Sequence, residues 1–176
     1  MIFTETDIAG VMIIDVERLT DDRGFFARGF CAEEFTAHGL RGDFVQTNIA
    51  HNARRGTLRG MHYQAEPAPE PKVVRCTRGA IYDVAVDLRP ASPSYCQWVG
   101  AELSADNHRA LYIPAGCAHG LLTLEDHSEV YYIMAAAYVP DLARGVRWND
   151  PAFAIHWPFE PSTISERDAA LADFIR

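Results

Sequence analysis

Proline and glycine interrupt this 176-residue chain at short intervals, roughly every 8–15 residues, and the segments between them are short apolar runs. Long helices do not survive such punctuation. Proline removes a backbone donor, and glycine costs conformational entropy inside a helix. The cadence predicts an all-β sandwich or barrel. The runs that read as strands are 11–16, 44–48, 57–64, 72–77, 80–87, 95–103, 110–113, 120–124 and 129–139. Between them lie the turn signals Asp21-Asp22-Arg23-Gly24, Arg55-Gly56, Arg78-Gly79, Arg89-Pro90 with Ser92-Pro93, and Pro114-Ala115-Gly116. Two short helices are predicted. One covers 32–38, with Gly39 as its stop signal; the other covers 165–173 and opens Ser165-Glu166-Arg167-Asp168, a capping-box variant. The aromatic, proline-rich stretch 148–161 is expected to cover the barrel.

Composition narrows the functional classes. Sixteen Lys and Arg against 24 Asp and Glu leave a formal net charge of −8, and no basic run is present. Such a chain is a poor coat for nucleic acid or an anionic membrane. No stretch approaches the ~18 apolar residues of a membrane span. Residues 1–10 lack the basic start and apolar middle of a signal peptide, so a cytoplasmic protein is expected. The four cysteines (Cys31, Cys76, Cys96, Cys117) show no metal-type spacing and are expected to be reduced. The length fits one domain over 1–176 with a core that needs no staple.

Two-residue periodicity assigns faces. In 80–87, Ile81, Asp83, Ala85 and Asp87 share one side; in 129–139, Tyr132, Met134, Ala136 and Tyr138 share one side, with Tyr131 opposite. A carboxylate on a central strand needs a partner or a wet lumen, because burying it alone is costly. Polar groups on the inner face of a small barrel therefore mark the natural site.

Pro114-Ala115-Gly116-Cys117-Ala118-His119 reads P-x-G-x-x-H and resembles the second motif of the cupin superfamily, jelly-roll double-stranded β-barrels. The first cupin motif offers H-x-H and then an acid. Here the matching segment is His62-Tyr63-Gln64, with no glutamate at the usual distance. His62 and His119 fall short of the about three protein ligands of a catalytic metal site. The expectation is a barrel that needs no metal and no other cofactor.

The whole chain resembles the dTDP-4-dehydrorhamnose 3,5-epimerase family of metal-free cupins. Ordered landmarks carry the resemblance: Asp22-Arg23-Gly24-Phe25-Phe26, Gln46-Thr47-Asn48, Leu58-Arg59-Gly60-Met61-His62-Tyr63-Gln64, Lys72-Val73-Val74-Arg75, Asp83 to Arg89, Ile113 to Gly120, Tyr138-Val139-Pro140, Trp148-Asn149-Asp150-Pro151 and Ser165-Glu166-Arg167-Asp168. It implies inversion of carbons beside the ketone of a nucleotide-linked 4-keto-6-deoxy sugar. That chemistry needs a base on one ring face, an acid on the other and a stabilised enolate between them. The resemblance assigns His62 as base, Asp168 as the carboxylate that orients it, and Tyr132 as acid. Lys72, the only lysine of the chain, and His119, paired with Asp83, fall at the enolate oxygen. Arg23, Arg59 and Arg167 form the implied diphosphate clamp. Gln46 and Asn48 are candidates to hydrogen-bond base or sugar, and Tyr138 to stack on the base. Strand parity sets Arg59 on the face opposite His62; a bulge, a twist or a role in a partner's site would reconcile the two. A homodimer is implied, with an exchanged N-terminal strand and with residues near Arg23 and Phe25 reaching the neighbouring site.

The chain departs from the family pattern where Ala27-Arg28 and Ala143-Arg144 replace segments that usually carry a glutamate. This points to a relaxed or altered base (GDP, UDP or CDP) or a different sugar. Epimerisation at C3 or C5 alone, ketoisomerisation, a non-catalytic sugar-nucleotide binder and a metal-dependent oxygenase stay open as alternatives.

Overall fold

A computed structural model describes residues 1–175. Its strands, in chain order, are β1 (Ile2–Glu5), β2 (Met12–Asp15), β3 (Leu19–Asp21), β4 (Gly24–Phe26), β5 (Gln46–Asn52), β6 (Thr57–Gln64), β7 (Lys72–Arg78), β8 (Ala80–Asp87), β9 (Trp98–Ser104), β10 (Ala110–Ile113), β11 (Cys117–Thr123), β12 (Ser128–Met134), β13 (Ala143–Gly145) and β14 (Thr163–Ile164). Helix α1 spans Ala32–Ala37 and α2 spans Glu166–Ala169.

The strands form two main sheets. The first runs β1-β2-β10-β7-β12-β5; the second runs β13-β6-β11-β8-β9, with β14 added parallel to β6. The fold is a mostly-β cupin-type jelly roll with short helices; the turn cadence predicts the β-barrel and the resemblance implies the cupin type. Alternation along the strands builds three apolar layers. Val74, Cys76 and Val130 of the first sheet meet Ile81, Ala85, Leu103 and Leu121 of the second in the central core. On the outer face of the first sheet, Val73, Ala110 and Tyr112 are capped by Phe35 of α1. On the outer face of the second, Met61, Val84 and Val86 are covered by Phe153 and Trp157, the role expected of the 148–161 stretch.

Strands β6, β8 and β10 occupy their predicted ranges. The strand predicted for 129–139 stops at Met134. Beyond it the backbone turns to other partners: Ala135 N–H donates to the Pro71 carbonyl, Tyr138 N–H to Gln46 Oε1 and Val139 N–H to Gln64 Oε1. The shared face expected of Tyr132 and Tyr138 is lost with it. The strand predicted from 95 starts at Trp98, because Tyr95 and Gln97 donate backbone bonds into a turn at Ser92 and Ser94. The helix predicted for 165–173 is a single turn, although its cap is present: Ser165 Oγ accepts from Asp168 N–H at 3.1 Å.

Three pieces of the fold had no counterpart in the sequence reading, the β3–β4 hairpin, β13 and β14, whereas β1 stands where the resemblance implies an N-terminal strand. Strand β1 pairs with β2 of the same chain. The Asp21-to-Gly24 turn joins β3 to β4, which stand apart from both main sheets. All four cysteines are free thiols; burial pushes Cys76 up to about 11 and Cys117 up to about 12. Among the described residues, no helix is long and apolar enough to cross a membrane.

Phe35 is fully buried and meets the rings of Phe3, Phe30, Phe44 and Tyr112 edge-on. It fastens α1 and the N-terminal strand to the first sheet. Phe35→Ala is expected to cost about 3–5 kcal/mol in chemical denaturation, the usual penalty for emptying a large aromatic site.

Candidate active site

Between the two sheets lies a cavity of about 450 Å³. Asn48, Lys72, Tyr132 and Met134 reach it from the first sheet. Leu58, Arg59, His62, His119 and Leu121 reach it from the second, and Ser165 and Asp168 close one side. An adjoining cavity of about 240 Å³ shares Asn48, His62, Lys72 and Met134 and adds Glu70, Tyr138, Ala143, Arg144 and Arg167.

Strand β6 delivers two of these side chains through an irregularity. His62 lies opposite His119, but Arg59 lies opposite Leu121, so three steps on β6 match two on β11. The extra residue is a β-bulge, and it turns Arg59 and His62 to the same cavity. Parity along an unbroken strand had set them apart. Glycine is required here: Gly60 has φ +129°, and a Cβ on it would stand 2.5 Å from Gly120 Cα. Arg59 Nε donates to Asn52 Oδ1 at 2.7 Å, which aims the guanidinium along the cavity wall.

Two histidine–carboxylate pairs face the space. His62 Nε2 contacts Asp168 Oδ1 at 2.7 Å, while Asp168 Oδ2 accepts the Gly60 N–H at 3.1 Å. Asp168 is buried, so its charge is directed at the imidazole. Partial burial lowers the His62 pKa below its ordinary value, and the Asp168 hydrogen bond opposes this without overcoming it. The ring is thus neutral near pH 7. Because Nε2 is engaged, Nδ1 is the atom left to accept a proton. The second pair, His119 Nε2 and Asp83 Oδ1, is also 2.7 Å apart and buried. The His119 and Tyr132 rings meet edge-on at 6.0 Å. Burial and the nearby Asp83 carboxylate push the Tyr132 phenol above its ordinary pKa, so it stays protonated. Lys72 Nζ lies 2.8 Å from Glu70 Oε1, and both side chains are almost completely buried.

A sequence model of the family dTDP-4-dehydrorhamnose 3,5-epimerase matches residues 5–175. The chain belongs to that family. Its members are isomerases. The dTDP-4-dehydrorhamnose 3,5-epimerase of Sinorhizobium fredii is 42% identical over 171 residues, covering 97% of this chain and 88% of the relative. The crystal structure of the Bacillus anthracis enzyme with TDP and pyrophosphate bound has a TM-score of 0.93 at 40% identity and covers 98% of each chain. The Legionella pneumophila enzyme in complex with dTDP-4-keto-L-rhamnose has a TM-score of 0.89 at 37% identity, covering 96% of this chain and 90% of the other.

Within this family fold, His62, Asp168, Tyr132, Lys72, His119, Asn48 and Arg59 converge on the main cavity, and Tyr138 and Arg167 on the adjoining one. Asp83 stands behind His119 and does not line the space. Gln46 lines neither cavity; its Oε1 instead accepts the Tyr138 N–H at 3.2 Å, tethering the segment that presents Tyr138. Arg23 is not brought to the cavity of its own chain. It sits at the β3–β4 turn with its side chain 89% exposed, and it pairs with Asp21 two residues away. The departures separate in space. Arg28 bonds Glu34 at 2.6 Å beside the N-terminal ammonium, away from both cavities, whereas Ala143 lines the adjoining cavity. Sequence reasoning missed Glu70 and Met134 as lining residues and read Arg144 only as part of a departure. The prolines on either side of Glu70 mark a loop, and nothing in the pattern shows that the loop folds inward.

An imidazole accepts a proton only when neutral, so with His62 as proton acceptor kcat/KM would fall as pH drops through its folded pKa, below the ordinary 6.5. The Asp168 carboxylate raises that pKa, so Asp168→Asn should move the acidic limb to still lower pH. It should also cut kcat by on the order of 10²-fold or more. A pH–rate profile of both proteins checks the sign.

Proposed function

We propose that the chain inverts carbons adjacent to the ketone of a dTDP-linked 4-keto-6-deoxy hexose. One arrangement carries this reading: His62 and Tyr132 face a single cavity from opposite sheets, and Lys72 lines the same space from β7, the strand beside that of Tyr132. In the proposed cycle the C–H bond beside C4 breaks, its proton goes to His62 Nδ1, and the electron pair moves into the C4 oxygen. Lys72 and His119 stabilise the resulting enolate. Tyr132 then gives its proton to the opposite face of the same carbon, and solvent returns a proton to the phenolate as His62 releases one. Asp168 supports the imidazolium that forms in the first step.

The adjoining cavity suits the nucleotide. Arg144 and Arg167 supply positive charge for a diphosphate, and Tyr138 supplies a flat ring for a base. The bound TDP of the Bacillus anthracis structure supports thymine as that base in preference to guanine, uracil or cytosine. The enzyme is further proposed to act as a homodimer. Leu19 and Phe26 stand 70% and 74% exposed on the β3–β4 hairpin, and β1 lies at a sheet edge with β2 as its strand neighbour. A second copy would cover these residues, would accept an exchanged β1, and would receive Arg23 at its diphosphate.

Proton NMR in heavy water with dTDP-4-keto-6-deoxyglucose tests the chemistry, and the labelled carbons report whether C3, C5 or both invert. His62→Ala should abolish exchange. Tyr132→Phe should retain exchange yet lose inversion. Full turnover by His62→Ala would refute the assignment. In the dimer, Arg23→Ala should raise KM by about tenfold with little change in kcat, as expected when an interaction shared by bound and reacting substrate is removed.

A further inference from the structure

Lys72 is the only lysine in the sequence, and its position is not solvated: its side chain is 8% exposed. A lysine ammonium is a strongly hydrated charge on a flexible four-carbon stem. Left alone at a cavity wall it would extend toward water. Here Glu70 meets it at 2.8 Å, with that carboxylate itself 5% exposed. The residues lining the two cavities include two carboxylates, and each is matched to one functional group: Asp168 to His62, and Glu70 to Lys72.

The backbone fixes this second pair. Pro71 separates the two residues and locks its own φ, while its carbonyl accepts the Ala135 N–H at 2.9 Å. Gln64 Nε2 donates to the Ala68 carbonyl at 2.6 Å, anchoring the loop that carries Glu70. Lys72 lines both cavities and Glu70 only the adjoining one, so the carboxylate approaches the ammonium from the nucleotide side.

We propose that Glu70 is the positioning residue of Lys72: it holds the ammonium where the two cavities join, aimed at the C4 oxygen of the sugar. The inference rests on the epimerase reading for its kinetic consequence, but not for the ion pair. Neutralised by Lys72, Glu70 also presents no free negative charge to the diphosphate.

The lone lysine makes the test direct. Protein labelled with isotope at the lysine ε-nitrogen carries one ammonium NMR signal, and in the wild type it should be protected from solvent exchange. Glu70→Gln should lose that protection; an unchanged signal would overturn the proposal. In turnover, Glu70→Gln should lower kcat by about 10- to 100-fold while KM moves less than about threefold, and Glu70→Asp should recover part of the loss. In a Lys72→Met background, Glu70→Gln should have no further effect on kcat. An equal loss in both backgrounds, or full kcat in Glu70→Gln, would show that Glu70 does not act through Lys72. A wild type inactive on every 4-keto sugar nucleotide would instead sink the epimerase reading, and the ammonium signal would still decide the ion pair.

Discussion

The site depends on one buried carboxylate. Asp168 holds the His62 ring with one oxygen and the Gly60 N–H with the other, and its own N–H is capped by Ser165. A short turn near the C-terminus is thereby locked to the bulge of β6, the feature that turns Arg59 and His62 to the same side. The capping geometry and the polarisation of the histidine are one arrangement. The Asp168 N–H serves the cap while its carboxylate bonds Gly60 and His62, so one residue ties the turn to β6.

The barrel then makes two unlike walls. The second sheet brings both imidazoles and Asp83, α2 brings Asp168, and the first sheet brings the phenol and the amine. Burial acts on each in the direction that acid–base chemistry needs. It keeps the His62 imidazole neutral and the Tyr132 phenol protonated. An imidazole able to accept a proton and a phenol able to donate one face one small volume, because their surroundings disfavour the charged form of both.

Much of this was legible from residue order. Short apolar runs between glycines and prolines gave the barrel, because two-residue alternation with frequent turns admits few other packings. The cap at Ser165 was readable because capping is local. Other features were not. Strand parity assumes an unbroken ladder, so Arg59 and His62 were set apart until the bulge reversed one of them. The end of β12 at Met134 depends on Gln46 and Gln64, distant in sequence, capturing its backbone. Gln46 was read as a ligand contact, although its carbonyl oxygen is engaged with Tyr138.

What the sequence by itself determined is the set of candidate groups and the type of scaffold: two histidines, a tyrosine, a single lysine and Asp83 on strands of a β-barrel, with Asp168 on a short helix. Residue identity and local period suffice for that, because both are properties of neighbouring residues. Only the tertiary structure decided which of these groups share a cavity, that Glu70 belongs with Lys72, and that Arg23 stands outside its own chain's site. Those outcomes depend on strand register and on close backbone contacts such as Gly60 against Gly120, which join segments far apart in the chain.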